Sequence, residues 1–238
     1  MKVQNIIIIA LVISFAGCKK EVIDNTQPPT TIIVNDSSDL ESGDCIEYTQ
    51  YLGQNIIQNG SFEEGHNLGN NQWNVFDHVG AWYADTTYND AGIEIQKGQN
   101  IGDLAPSDGD SKLEFDAHNK NGYSASDVEV YQVVDTDDAE DYILTFDYSP
   151  RIAGNEKTNA AEVYFDGNLV ASLNSEVKGW QKYTLIVKGA GNATRLSFKG
   201  YIDNDTVGGY LDNIKLKKLM DNAEGATESI VAKSCVLE

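Results

Sequence analysis

The sequence predicts an all-β jelly-roll sandwich. Large apolar and polar residues alternate in stretch after stretch, at the two-residue period of half-buried strands. Gly, Asn and Asp punctuate these stretches every few residues, as tight turns require. No stretch of any length carries the apolar spacing of an amphipathic helix. Many short strands without helices leave two packed sheets as the way to bury one core.

Strands are expected first near residues 73–76, 93–96, 112–115 and 128–134. Residues 142–149 follow, where Leu144, Phe146 and Tyr148 share one parity and Thr145, Asp147 and Ser149 the other. Residues 161–165 alternate in the same way, with Val163 and Phe165 opposite Tyr164. Asp166-Gly167 then marks a hairpin into Asn168, Leu169 and Val170. Tyr183, Leu185 and Val187 share a parity, as do Leu196 and Phe198, and a last strand is expected over 210–216. No internal repeat stands out.

The two ends read differently from this middle. Lys2, an apolar run over residues 6–15 and Ala16-Gly17-Cys18 form a secretory signal too short to span a bilayer comfortably. A cysteine directly after small residues resembles the bacterial lipobox, which implies cleavage after residue 17 and lipid on Cys18. Residues 18–45, with Pro28-Pro29 and a Ser/Asp cluster, read as an extended tether. The domain is expected over 46–219 and a tail over 220–238. This arrangement puts the protein at the outer membrane or cell surface, held by lipid alone.

Charge narrows the partners. The chain has 37 Asp and Glu against 17 Lys and Arg, a formal net charge of −20. Phosphates of nucleic acid or anionic headgroups would repel it, so neither is an expected partner. Of the three cysteines, Cys45 and Cys235 flank the domain and could form a disulfide clasp in an oxidising compartment.

Several motifs occur together in order. NIIQNGSFE (55–63) is followed by WNVF (73–76), GAW (80–82), GIEI (92–95), LEFD (113–116), VYQ (130–132), LTFDYSPR (144–151) and GGYLDNI (208–214). The set resembles carbohydrate-binding modules of families 4, 9 and 22 and related secreted cell-wall and matrix proteins, across about 55–219. That resemblance implies a galactose-binding-domain-like sandwich, a structural calcium ion, and glycan binding without catalysis. It further implies that Glu63 and Asp212 meet at one metal, with groups near Asp110 to Lys112 completing the shell. Read from its parity with Ile214 and Leu216, Asp212 faces the core, where a carboxylate needs compensation. Calcium or turn hydrogen bonds would each supply it.

Sugar binding needs an aromatic face and fixed polar groups around it. Trp82 and Tyr83, in the polar stretch 80–90, are the expected platform, whereas Trp73 and Trp180 read as core rings. Asp147 and Arg151 lie on the polar parity of their strand, and Tyr164 on that of the next, as a polar floor. Arg151 could hold a uronate or sulfate through its guanidinium fork, or pair with Asp147. Either Tyr131 or Gln132 faces the cleft. The acidic run 135–141 and residues 203–205 read as solvated turns.

His66, His78 and His118 lack zinc spacing, and no G-x-S-x-G elbow occurs. The expectation is therefore a non-catalytic, lipid-anchored polysaccharide-binding protein, working beside surface hydrolases or an uptake system. The alternative is an adhesion or matrix-organising lipoprotein that binds a protein.

Overall fold

The structure, a computed structural model, describes residues 45–85, 92–118, 125–152, 156–173, 175, 177–200 and 207–235. The signal segment, Cys18 and most of the tether lie outside the described residues. Strands β1 (Cys45–Asn55), β2 (Gln72–Phe76), β3 (His78–Val79), β4 (Trp82–Ala84) and β5 (Ile93–Lys97) come first. They are followed by β6 (Ser111–Glu114), β7 (Asp116–His118), β8 (Ala125–Asp127), β9 (Glu129–Val134) and β10 (Asp141–Ser149). A single helical turn, α1 (Glu156–Asn159), precedes β11 (Ala161–Phe165), β12 (Asn168–Leu173) and β13 (Gln181–Lys188). The chain ends in β14 (Thr194–Gly200), β15 (Tyr210–Met220) and β16 (Glu228–Cys235).

Two antiparallel sheets form the sandwich, as expected. An eight-stranded sheet runs β13-β10-β15-β6-β5-β2, with β1 and β16 joined alongside β15. A six-stranded sheet runs β12-β11-β14-β9-β4-β3, and β7 pairs with β8 apart from both. Alternation builds the core. Ile93, Ile95, Leu113, Leu144, Phe146 and Leu211 of the first sheet meet Trp82, Val130, Val163, Leu196 and Phe198 of the second. Phe146 stacks on Tyr183 and meets Phe198 edge-on, each at 5.2 Å between ring centres. The Asp166-Gly167 turn has positive φ at both residues, 49° and 73°, the hairpin geometry its sequence predicts.

The fold departs from the sequence expectation in two places that shape the outer faces. The expected tail contains β16, which pairs with β1 and sets Cys45 directly opposite Cys235. Together β1 and β16 cover part of the first sheet's outer face, where Leu52 and Ile230 pack with Ile143. The β10–β15 register also shifts, because Thr145 faces Lys215 but Asp147 faces Asp212. Asn213, at φ 55°, takes up the extra residue of this bulge. Parity therefore inverts within β15: Ile214 joins the core, whereas Asp212 shares the outer face with Tyr210.

Candidate functional site

The outer faces of the two sheets carry the chemistry. On the first sheet, Glu94 sits opposite Glu114, Gln96 opposite Lys112, and Tyr210 opposite Glu114. Opposed residues share a face, and this one is covered by the segment running from Gly98 to Asp110. Lys112 Nζ donates to the Ile101 carbonyl at 2.8 Å, Tyr210 Oη to the Gly102 carbonyl at 2.7 Å, and Trp180 Nε1 to the Ala105 carbonyl at 2.7 Å. Gly102, at φ 67°, lies so close that a side-chain carbon there would strike Gln96 and Tyr210.

Beneath this cover Arg151 and Gln96 both answer Glu114, while the buried Gln96 Oε1 accepts no hydrogen bond among the described residues. Glu114 is fully buried and accepts from Arg151, Gln96 and the Gly208 amide. Burial and the neighbouring Glu94 push the Glu114 carboxyl up, against the pull of Arg151. Burial brings the Lys112 amine down to about 8, despite the attraction of Glu114 and Asp212. Lys112 also lies 4.8 Å from the centre of the Tyr210 ring.

Glu63 and Asp212 both reach the end of the same covering segment. Asp212 accepts from the Ser107 and Asp108 amides at 2.7 and 3.0 Å and from the Asn213 amide at 2.7 Å. Burial nonetheless raises its carboxyl to about 7, although the amides pull it down. Glu63 Oε1 accepts from the Asp110 and Ser111 amides, each at 2.7 Å, and Oε2 from Ser111 Oγ at 3.2 Å. Asp110 thus supplies its N–H to Glu63. No group of three His, Cys, Asp or Glu side chains among the described residues could hold a metal ion. N–H and O–H donors surround both carboxylates, which is a brace for a loop and not an oxygen shell for calcium. The donor set does not fit the ion that the resemblance implies.

The second sheet's outer face is open and aromatic. Tyr83 sits opposite Tyr131, Tyr131 opposite Ser197, Ser197 opposite Tyr164, and Tyr164 opposite Leu169. One row therefore crosses β4, β9, β14, β11 and β12. Tyr83 is 48% exposed, and its ring lies 5.9 Å from Tyr131 and 5.8 Å from His78. Arg195 lies 3.8 Å over the Tyr131 ring and pairs with Asp85 at 2.7 Å and Glu129 at 2.9 Å. That clamp fixes the ring's position before any ligand arrives.

The expected binding residues divide between three places. Tyr83, Tyr131 and Tyr164 share the open row, which also decides between Tyr131 and Gln132. Gln132 is buried, accepting from the Gln58 amide at 2.9 Å. Trp82 is not a platform: it is wholly buried, with Nε1 donating to the Asn59 carbonyl at 3.0 Å. In a two-residue alternation, one of Trp82 and Tyr83 must face the core. Asp147 and Arg151 belong to the covered sheet. Arg151 pairs with Glu114 and not with Asp147, which instead accepts from Asn213 Nδ2 at 2.9 Å. Trp73, read as a core ring, is 46% exposed on the edge strand β2. Sequence reasoning missed Arg195 and Ser197, whose place in the row depends on strand order.

An all-β jelly-roll sandwich with one covered and one open outer face is the class of protein these features define. The chain belongs to the DUF642 family, described as proteins of unknown function, whose pattern it matches over residues 55–217. The chain is 27% identical over 169 residues to a multifunctional-autoprocessing repeats-in-toxin protein of Vibrio vulnificus, 71% of this chain. The match to its counterpart in Vibrio cholerae is 26% over 186 residues, 78% of this chain. The chain spans only 3% and 4% of the length of these two relatives. Among solved structures, an apo cyclase from Fischerella sp. superposes with a TM-score of 0.50 at 14% identity, over 69% of this chain and 96% of that one. This likeness shows the fold alone. A Clostridium thermocellum xylanase fragment, with a carbohydrate-binding module and bound xylohexaose, gives a TM-score of 0.40 at 13% identity, over 71% of this chain and 28% of that one.

Proposed function

We propose that this is a lipid-anchored, extracytoplasmic protein that binds polysaccharide without cleaving it, through the open face of the six-stranded sheet. The observation that carries the reading is the row Tyr83, Tyr131, Ser197 and Tyr164. Rings supply apolar surface for the C–H faces of sugars, and Tyr83 is the most exposed ring of the row, with Ser197 buried between Tyr131 and Tyr164. Asp85 and Glu129 beside the row are engaged by Arg195, which argues against an acid–base pair there. The apolar run and Cys18 support the lipid anchor. Cys45 and Cys235 would close the β1–β16 ribbon as a disulfide. Opposed antiparallel residues have Cα atoms about 4.5–5.5 Å apart, within the disulfide range. Thiol counting on the unreduced, denatured protein should then find neither cysteine reactive.

Native electrophoresis through gels cast with plant, algal and microbial polysaccharides tests the binding face. The expected result is retardation by at least one polysaccharide and its loss in Tyr131→Ala, with the melting temperature kept. Retardation unchanged in both Tyr131→Ala and Tyr164→Ala would remove this face from the site. No retardation across the panel would favour a protein partner.

A further inference from the structure

We infer that the open face selects uncharged glycans that carry methyl groups, as 6-deoxy sugars and methyl ethers do. The inference rests on the binding face proposed above and names the class of sugar it takes. Val133 and Leu169 are each 51% exposed, and both belong to this face. Val133 follows Tyr131 by two residues on β9, so the two point the same way. Its inward neighbours Gln132 and Val134 are buried. Leu169 sits opposite Tyr164 across the β11–β12 pair. The next residue, Val170, packs against the core, which leaves Leu169 outward. Aliphatic groups therefore flank the ring row on two sides, beside Tyr131 and beyond Tyr164, and widen its apolar area. A ring can lie flat on the C–H face of a pyranose, but a branched aliphatic chain has no flat face to offer. What such a chain favours is a small apolar group beside it, which a methyl is and a hydroxymethyl or carboxylate is not.

Charge argues against an acidic sugar on the same face. Strand β14 presents Arg195 and, two turns of the pleat further on, Lys199. Arg195 pairs with Asp85 at 2.7 Å and Glu129 at 2.9 Å. Lys199 lies in register between Glu129 and Glu162. Both cations thus stand among carboxylates, in a chain of net charge −20. A uronate or sulfate would have to displace an acid from its cation before pairing with it, against the repulsion of the others. An uncharged sugar meets no such cost. Each methyl taken out of water at an aliphatic side chain strengthens binding about fourfold, so contacts at Val133 and Leu169 together give about tenfold.

The experiment runs the full chain in native gels cast with methylcellulose or hydroxyethylcellulose, with rhamnan or mannan, and with carboxymethylcellulose. The first polymer of each pair carries methyl groups, as ethers in one and as 6-deoxy carbons in the other. Carboxymethylcellulose is the charged control. Expected is retardation at about tenfold lower concentration of the methyl-bearing polymer in at least one pair, and none by carboxymethylcellulose. The pair that responds identifies the source of the methyl. In the double variant Val133→Thr, Leu169→Asn the preference should vanish while retardation remains, with the melting temperature kept. Equal retardation by both members of each pair, lost in Tyr131→Ala, overturns this inference and leaves the tyrosine face standing. Retardation unchanged in Tyr131→Ala and Tyr164→Ala alike removes the face, and the inference with it. A preference that survives the double variant, or carboxymethylcellulose retarding as strongly, overturns the inference. No retardation by any of these polymers does the same.

Discussion

On the eight-stranded sheet the outer face carries Glu94, Lys112 and Glu114 and is covered; on the six-stranded sheet it carries Tyr83, Tyr131 and Tyr164 and is open. Residue type alone would assign the covers the other way round, since charges favour water and rings do not. The difference lies in what each sheet's connections do. The segment from Gly98 to Asp110 binds down through Lys112, Tyr210 and Trp180, and the β1–β16 ribbon covers further surface beside it. A face covered in this way serves architecture. On the other sheet Tyr83 is 48% exposed, and Tyr131 and Tyr164 are half-buried.

The largest expected effect breaks the covered face. Arg151→Ala strands Glu114 in the interior and should cost about 3 kcal/mol in urea unfolding. Tyr131→Ala on the open face should stay within about 1 kcal/mol of wild type while losing glycan. Equal losses from the two changes would end the distinction. Gly102→Ala comes next, because both its positive φ and its contacts with Gln96 and Tyr210 forbid a side chain. A loss of about 1–2 kcal/mol is expected, with Trp180 emission shifting red as the segment lifts. An unchanged spectrum would mean that the cover does not depend on that approach.

pH sharpens the comparison further. Asp212 holds its proton up to about pH 7 in the folded state, against an ordinary value of 3.8. Its contribution to stability is therefore full below about pH 4 and is lost as pH rises through 7. Lys112 runs the other way. Its pKa falls from 10.5 to about 8, so its contribution is full above about 10.5 and is lost as pH falls through 8. Asp212→Asn should flatten the melting-temperature profile between pH 4 and 7, and Lys112→Met that between 8 and 10.5, in calorimetric scans. A profile that neither substitution alters would show these groups to be solvated. The smallest effect concerns metal. With Glu63 and Asp212 already braced by amides, calcium or chelator should move the melting temperature by less than about 1 °C, whereas a bound ion at a hundred times its Kd would add about 2.7 kcal/mol.

Alternation made most of the strands legible in the sequence, because a half-buried strand must repeat every two residues. The hairpin at Asp166-Gly167 was equally legible, since few residues accept its backbone. The site was legible in part. Tyr83, Tyr131 and Tyr164 are aromatic residues at outward positions, yet their alignment in one row follows from β4-β9-β14-β11 order, which is set by long-range pairing. Local patterns misassigned Trp82 and Trp73, because alternation gives a residue's parity but not which parity faces the core.

Sequence by itself determined the all-β class, most of the strand positions and the parity of residues within each strand, since all three depend on local spacing and backbone preference. Tertiary structure alone decided that one extra residue at Asn213 turns Asp212 out of the core. It also decided that Arg151 answers Glu114, and that a polar segment closes over one sheet and leaves the other open. Those outcomes depend on contacts between residues far apart in the chain, which no local period encodes.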